Sequence, residues 1–284
     1  MTDIAEGDGD KNKIKIVCVS DTHLQCPDVP DGDLLVHAGD MANYGKFDEM
    51  QGQLNWLGSL PHAHKIVIGG NHDRILDPSY IAENPKFQQG GRLEDLEWHD
   101  LKYLCNESTT VSFPHLGRSL KVYGSPLTPK YESVKGGAIQ YYTWAFNYPR
   151  ATDVWTNTVP DDVDLFIVHG PPRGHLDEGG KGCPHLLREL WRVRPPLVVF
   201  GHMHQSRGTE KLIYDDWEAW ANDQVNMIAR PPGRLRDITA GTIRYKARMA
   251  QALGRSVERG NGRASSQLVN ASHQRDSGPM VVYL

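Results

Sequence analysis

Residues 197–204 have the sequence Leu-Val-Val-Phe-Gly-His-Met-His, in which a short apolar run leads directly into a glycine and two histidines. An apolar run bounded by such a turn residue predicts a buried β-strand. Similar runs occur earlier in the chain and also end next to polar residues. The five predicted strands are residues 14–19, 34–37, 65–68, 165–168 and 197–200.

Aspartate, asparagine and histidine follow these strands in short motifs. The motifs are Asp21-Thr22-His23, Gly39-Asp40, Gly70-Asn71-His72-Asp73, His169-Gly170 and Gly201-His202-Met203-His204. In open α/β sheets, ligands bind in the crevice beyond the carboxyl ends of the strands, so residues distant in sequence can converge there. The pattern therefore predicts an α/β fold with one site built from five strand ends.

The organisation expected is one domain with two additions. Residues 1–13 are polar and lack the apolar segment of a signal peptide, which predicts a disordered arm and a cytoplasmic protein. Residues 14–284 form the domain, with a helical insertion at about 210–265 whose helices are predicted at 215–227 and 238–253. An oligomer formed through these helices is left open.

Composition excludes some partners. No run of about 18 apolar residues occurs, so neither a membrane span nor a membrane partner is expected. The formal net charge of -4 provides no overall basic field, so no nucleic-acid polymer is expected as a partner.

Other elements follow from local periodicity. Helical spacing of apolar residues between 47 and 57 predicts a helix on the sheet. Short runs at 101–104, 109–113 and 119–123 predict hairpins with antiparallel pairing, and hence a second sheet. A short helix is predicted at 140–146, and the last strands at 267–271 and 280–283.

The motif residues form a ligand set for transition metals. Asp21 and His23 can place an oxygen and a nitrogen on one ion, and Asp40 can bridge two ions. A mixed set without thiolate suits Mn, Fe or Zn better than Ca²⁺. Two such ions, about 3.5–4 Å apart, can hold a hydroxide and clamp the oxygens of a phosphoryl group. The expected reaction is phosphoester hydrolysis.

Taken in order, the five motifs resemble those of the calcineurin-like metallophosphoesterase superfamily. Its pattern is D-x-H, G-D, G-N-H-D/E, a lone H and G-H-x-H. Three further stretches resemble the metallophosphoesterase domain-containing proteins: His169-Gly170-Pro171-Pro172, Tyr123-Gly124-Ser125-Pro126 and Asn270-Ala271-Ser272. The resemblance covers most of residues 14–208 and returns at the last strands. It implies a four-layer α/β/β/α sandwich with mixed sheets.

The resemblance also implies roles for individual residues. Two divalent or trivalent transition metal ions are expected. The first would be held by Asp21, His23, Asp40 and His204, and the second by Asp40, Asn71, His169 and His202. His72 would act near the leaving group, with Asp73 orienting its ring.

Substrate contacts are expected from Asn71, His72, Arg173 and His175. A substrate role is favoured slightly for Arg173 and not for Arg74, although a guanidinium beside a ligand motif could pair with a phosphate. Trp144 and Trp155 could stack on a nucleobase, but packing is the favoured interpretation.

The predicted function is hydrolysis of a small phosphodiester or phosphomonoester, such as a nucleotide or cyclic nucleotide, by attack of a metal-bridging hydroxide. Two alternatives stay open. One is a protein phosphatase, and the other is a non-catalytic scaffold of the same fold that binds metal or nucleotide.

Overall fold

A computed structural model describes residues 12–130, 132–135, 138–141, 144–214, 265–274 and 277–284. The two helices predicted within the 210–265 insertion, and residues 1–11 of the predicted disordered arm, lie outside these ranges. Within the described part of the chain, no helix is long and apolar enough to span a membrane.

The described residues form fifteen strands and three α-helices. The strands are β1 (Lys15–Val19), β2 (Leu34–His37), β3 (His64–Val67), β4 (Leu101–Tyr103), β5 (Glu107–Phe113), β6 (Arg118–Ser125), β7 (Thr128–Pro129), β8 (Glu132–Lys135), β9 (Ala138–Tyr141), β10 (Asn147–Tyr148), β11 (Leu165–Val168), β12 (Leu197–Phe200), β13 (Gly208–Ile213), β14 (Ser265–Asn270) and β15 (Met280–Tyr283). The helices are α1 (Phe47–Ser59), α2 (Pro78–Glu83) and α3 (Pro184–Val193).

The first sheet has the order β15-β1-β2-β3-β4 and is parallel except for β15. The strand β4 corrects the sequence prediction, which placed residues 101–104 in antiparallel hairpins of a second sheet. It pairs parallel to β3, with Leu101 opposite Lys65. Parallel pairing needs a crossover of a dozen or more residues, and the segment between β3 and β4, which contains α2, provides one.

The second sheet has the order β13-β14-β12-β11-β6-β5. Its four central strands are parallel, and β13 and β5 pair antiparallel at the two edges. The hairpin of β5 and β6 confirms the pairing predicted for residues 109–113 and 119–123. Gly117, with φ 61°, makes the turn, a conformation that glycine adopts at little cost.

Three apolar clusters define the layers. The central cluster joins the inner faces of the two sheets, with Ile16 and Val36 from one and Leu165 and Val199 from the other. The outer face of the first sheet packs on α1, and that of the second sheet packs on α3. The fold is therefore the four-layer α/β/β/α sandwich with mixed sheets that was predicted.

The helix predicted for residues 140–146 is wrong. The strand β9 occupies 138–141 and pairs antiparallel with β8. Phe146 has a left-handed backbone, with φ 55°, and its N–H donates to the Asp77 carboxylate at 2.7 Å. This contact uses the N–H that a helix would need, and it ties the segment to the start of α2.

Replacing a central core residue tests the layer arrangement. We expect Leu165→Ala, at a fully buried position between the sheets, to lower the free energy of unfolding by about 2–5 kcal/mol. Leu24→Ala is the matched control, because that side chain is 38% exposed, and its effect should stay within about 0.5 kcal/mol. Urea denaturation followed by circular dichroism measures both. Equal losses for the two variants would contradict this position of the core.

Candidate metal centre

The loops after β1, β2, β3, β11 and β12 meet at one edge of the sandwich. Two groups of candidate ligands form there, and within each group the ligand atoms lie within 4.8 Å of one another. The first group is Asp21, His23 and His204, and the second is Asp40, His169 and His202. The structure therefore brings side chains from both sheets to a single site.

The first group is centred on Asp21, which is 2% exposed. One of its carboxylate oxygens lies 3.2 Å from His204 Nε2. His23 stacks against His204 with ring centroids 5.3 Å apart, and its Nδ1 donates to the Ala42 carbonyl at 3.1 Å. Because that carbonyl can only accept, the proton stays on Nδ1 and Nε2 of His23 is left as a ligand atom.

The second group is centred on His169, which is fully buried. Its Nδ1 donates to the Ala38 carbonyl at 2.8 Å, which directs Nε2 into the site. This Nε2 atom lies 3.2 Å from Asp40 Oδ2 and 3.1 Å from Asn71 Oδ1. Asn71 therefore joins this group, and all seven predicted metal ligands lie at the site.

The two groups are in direct contact. The backbone N–H of His202, from the second group, donates to Asp21 Oδ2 of the first at 2.9 Å. Within the second group, the rings of His169 and His202 lie 5.1 Å apart, edge to face. The arrangement is thus one pair of adjacent sites, which suits two ions better than one.

Four candidate ligands have left-handed backbone conformations. The φ angles are 56° at Asp21, 45° at His23, 57° at Asp40 and 67° at His202. Such conformations are uncommon outside glycine and cost roughly 1–3 kcal/mol each, so the surrounding structure must hold them. One restraint is the hydrogen bond from Asp21 N to the Gly39 carbonyl at 2.9 Å. Strain of this kind is characteristic of functional sites.

Two glycines let the backbone pass close to the carboxylates. A Cβ at Gly70 would collide with Asp40, and a Cβ at Gly201 would collide with Ser20 Oγ and Asp21 Oδ2. No side chain fits at either position without displacing a ligand. The glycines of the third and fifth motifs are therefore required by close approach.

The ligand side chains strongly perturb one another's ionisation. Burial alone would raise the pKa of Asp21, but the hydrogen bond to His204 and the charge of His169 lower it to about 2. Burial would also raise the pKa of Asp40, but the charge of His169 and its hydrogen bond hold that pKa well below its usual range. Burial also disfavours the charged form of His169, yet Asp40 raises its pKa to about 9. Ionised carboxylates at this depth need cationic partners, and metal ions fit that need.

Asp73 does not contact the His72 ring, which corrects the role predicted for it. Its carboxylate accepts backbone N–H groups from Met41, Ala42 and Gly70 at 3.3, 2.9 and 2.9 Å. Burial, and then repulsion from Asp40, raises the pKa of Asp73 to about 7. Asp73 therefore joins the loops after β2 and β3. Its buried carboxylate has hydrogen-bond partners there because three backbone N–H groups converge on it.

The His72 ring is oriented by a group that the sequence prediction did not include. Its Nδ1 donates to the Asn43 carbonyl at 2.6 Å, so the opposite ring nitrogen, Nε2, points away from that carbonyl. Backbone carbonyls such as those of Ala38, Ala42 and Asn43 carry no signal in side-chain type, so a motif search could not find them.

The two outlying residues predicted to contact substrate have different surroundings. His175 is fully buried, with Nδ1 2.8 Å from Glu210 Oε1 of β13, and its substrate contact stays a prediction. Arg173 is half-buried in the turn where Pro172 bridges Cys183, and its substrate contact stays a prediction.

Asn270 supports the last ligand motif from a distant strand. Its side-chain amide donates to the Met203 carbonyl at 2.9 Å, between His202 and His204, and its Oδ1 accepts from Ser272 N at 3.1 Å. The stretch Asn270-Ala271-Ser272 was noticed in the sequence only as a resemblance, without this role. It positions the loop that carries two ligands.

The chain is similar to several known proteins. The family model for calcineurin-like phosphoesterases matches residues 14–206. Metallophosphoesterase domain-containing protein 1 of Homo sapiens is 36% identical over 241 residues, covering 77% of this chain and 68% of that protein. Probable rhamnogalacturonate lyase C of Emericella nidulans is 42% identical over 206 residues, covering 72% of this chain, but this chain spans only 18% of that protein's length. A crystal structure of a Thermus thermophilus protein aligns with a TM-score of 0.40 and 14% identity, over 70% of this chain and 84% of that one.

Gly201→Ala tests whether close approach is required. The added Cβ would displace Asp21, so we expect the variant to bind fewer than two metal ions per chain. Elemental analysis after loading with Mn²⁺ and gel filtration gives the stoichiometry. The matched control is Gly52→Ala in α1, where a Cβ meets nothing within 4 Å. It should bind metal like the wild type, and two ions bound by Gly201→Ala would contradict the assignment.

Asn270→Ala tests the support of the last motif. Removing the amide leaves the Met203 carbonyl with only its bond from Ser206 N and loosens the tie between β14 and the loop, so metal affinity should fall about 10- to 100-fold. Competition with a metal-sensitive dye measures this affinity. Asn84→Ala, which removes a side-chain bond to the Tyr80 carbonyl away from the ligand motifs, should leave it unchanged. Unchanged affinity in Asn270→Ala would show that the loop holds its own conformation.

Proposed function

Because the chain belongs to the calcineurin-like phosphoesterase family, we propose that it hydrolyses a small phosphodiester or phosphomonoester at the candidate metal centre. The observation that carries the proposal is the adjacent pair of ligand groups, each with a buried carboxylate and two imidazoles. Nucleotides and cyclic nucleotides are candidate substrates. The lyase name of one relative is not transferred, since this chain matches less than a fifth of that protein.

The residues that would hold the metals follow from the two groups. Asp21, His23, Asp40 and His204 would hold one ion, and Asp40, Asn71, His169 and His202 the other. Oxygen and nitrogen donors without thiolate fit Mn, Fe or Zn. When bound, two such ions polarise a phosphoryl group and supply a nucleophile at neutral pH.

His72 has the geometry of a proton donor to the leaving oxygen. Its ring lies 4.8 Å from that of His23, so it borders the first ligand group. The Asn43 carbonyl can only accept, so Nδ1 carries a proton in either state of the ring. In the protonated ring, Nε2 carries the second proton, which it can pass to a departing alkoxide.

The site is open to solvent on the side of His204. The His204 side chain is 43% exposed although its partner Asp21 is buried. Leu24 and Tyr44 directly follow His23 and Asn43, and both are exposed apolar side chains. The metals would therefore be reached from solvent past an apolar rim, which suits a small organic phosphoester.

Other expectations are kept as parts of this proposal. These are a cytoplasmic location, the lack of a nucleic-acid polymer as partner, and oligomer formation through residues 210–265.

A panel of phosphoesters tests the proposal. It should contain aryl and alkyl monoesters and diesters, cyclic nucleotides and a phosphoprotein, each assayed with Mn²⁺, Zn²⁺ and Fe²⁺. Metal-dependent turnover of small esters is the expected result. Turnover of the phosphoprotein alone would favour a protein phosphatase. Two bound metals without any turnover would favour the scaffold.

The role of His72 predicts a dependence on the leaving group. His72→Ala should slow hydrolysis of an alkyl ester about 100-fold or more, but that of a 4-nitrophenyl ester less than about 10-fold, because nitrophenolate departs without a proton. Metal content must match the wild type. His115→Ala, at an exposed histidine paired with Asp33, is the control and should retain full activity on both esters. Equal losses on both esters would exclude proton donation by His72.

A further inference from the structure

Within the described part of the chain, Arg74 is a buried cation without an anionic partner. It follows the third ligand motif directly and is 7% exposed. Its Nε atom is buried and has no hydrogen-bond partner. Among the residues that the structure describes, no carboxylate lies within ion-pair distance of its guanidinium. A buried charge is costly unless it is paired, so this arrangement calls for a ligand.

The nearest carboxylates along the chain are occupied elsewhere. Both oxygens of Asp73 accept backbone N–H groups. Asp77 Oδ1 accepts from Tyr80 N at 3.0 Å, and Oδ2 accepts from Phe146 N at 2.7 Å. Each carboxylate caps a turn or a helix. Neither forms an ion pair with Arg74.

Aromatic rings hold the Arg74 guanidinium in place. Its central carbon lies 4.4 Å from the Phe87 ring centroid and 4.5 Å from that of Trp144. Rings cover the faces of a guanidinium and leave its N–H groups, which point outward in the plane, for bidentate contact with an oxyanion. The rings supply attraction and orientation, but no acceptor in the plane of the group.

Trp144 connects this cation to the candidate metal centre. The same indole lies 4.4 Å from the His72 ring, so only one aromatic side chain separates Arg74 from the proposed proton donor. Asp77 anchors this segment through Phe146 N. The cation is therefore on the leaving-group side of the site, beyond the group that would protonate the departing oxygen.

We propose that Arg74 binds a second oxyanion carried by the leaving group of the substrate, so that the preferred substrates are phosphoesters of an alcohol that itself bears a phosphate or carboxylate. This inference rests on the proposed phosphoesterase function and narrows its substrate class. Sequence reasoning favoured Arg173 over Arg74 for such a contact. Because Arg74 is buried and forms no ion pair with the described residues, we now prefer it to Arg173.

Matched substrate pairs test the inference. One pair is adenosine 3′-phosphate and adenosine 3′,5′-bisphosphate, and its diester counterpart is adenosine 2′,3′-cyclic phosphate with and without a 5′-phosphate. Glycerol 2-phosphate and 2-phosphoglycerate test a carboxylate in place of the phosphate. In at least one pair, the wild type should show a kcat/KM about 10- to 100-fold higher for the doubly anionic member, as expected for charge-assisted hydrogen bonds.

Arg74→Met should bring this ratio close to one, chiefly by raising KM for the doubly anionic member. Arg74→Lys keeps the charge but not the planar group, so it should retain part of the ratio, and it replaces the first variant if that one does not fold. The control is Arg92→Met, at an exposed arginine paired with Glu94, which should keep the wild-type ratio and activity.

Three outcomes decide whether Arg74 binds an oxyanion of the leaving group. A wild-type ratio near one in every pair, with hydrolysis present, would overturn the role of Arg74 while the proposed function stands. A ratio that survives Arg74→Met and Arg74→Lys unchanged would also overturn it. If no ester is hydrolysed, the proposed function fails separately. Calorimetry then compares the binding of adenosine 3′-phosphate and adenosine 3′,5′-bisphosphate. Tighter binding of the bisphosphate, lost in Arg74→Met, supports the role of Arg74. Equal binding of the two ligands overturns it.

Discussion

Two buried carboxylates, Asp21 and Asp40, lie where the strand ends of the two sheets meet, and their charge constrains the structure around them. Burial opposes ionisation of both, yet neighbouring histidines hold the pKa of each below its usual range. Charges so deep in a protein must be matched by cations and donors. The imidazoles from the second sheet meet this requirement in part, and a pair of metal ions would complete it.

The same constraint explains the local backbone. Ligands arrive on tight loops from both sheets, and four of them have left-handed φ angles. Glycines stand where a Cβ would strike a carboxylate. Backbone carbonyls of Ala38 and Ala42 fix the imidazoles that they contact, and Asp73 and Asn270 hold neighbouring loops together. The site is thus rigid through hydrogen bonds to the main chain, which favours a prearranged centre for a charged substrate.

Around this centre, three different elements define what could enter. His72 borders the first ligand group, and its Nδ1 is held by the Asn43 carbonyl. Trp144 separates it from Arg74, whose guanidinium forms no ion pair with a carboxylate of the described residues. Asp77, which follows the third ligand motif by four residues, joins the segments that carry Arg74 and Trp144 by accepting from Phe146 N. Specificity would therefore come from the connections between strands, while the strands themselves supply the metal ligands.

The sequence by itself determined the parallel strands and the residues at their ends, because apolar runs and ligand motifs are local patterns that survive any tertiary arrangement. Through the family resemblance of those motifs, it also predicted the four-layer fold and the seven side chains that meet at the site. Tertiary structure alone decided the partner of β4, the pairing at residues 138–141 and the burial of His175, since each depends on a neighbour distant in the chain. It also decided the surroundings of Asp73 and Arg74. Both residues come after His72 in the chain. The Asp73 carboxylate accepts three backbone N–H groups, whereas the Arg74 guanidinium lies against aromatic rings. Which groups surround a charge, and whether they compensate it, is a property of packing that no local pattern contains.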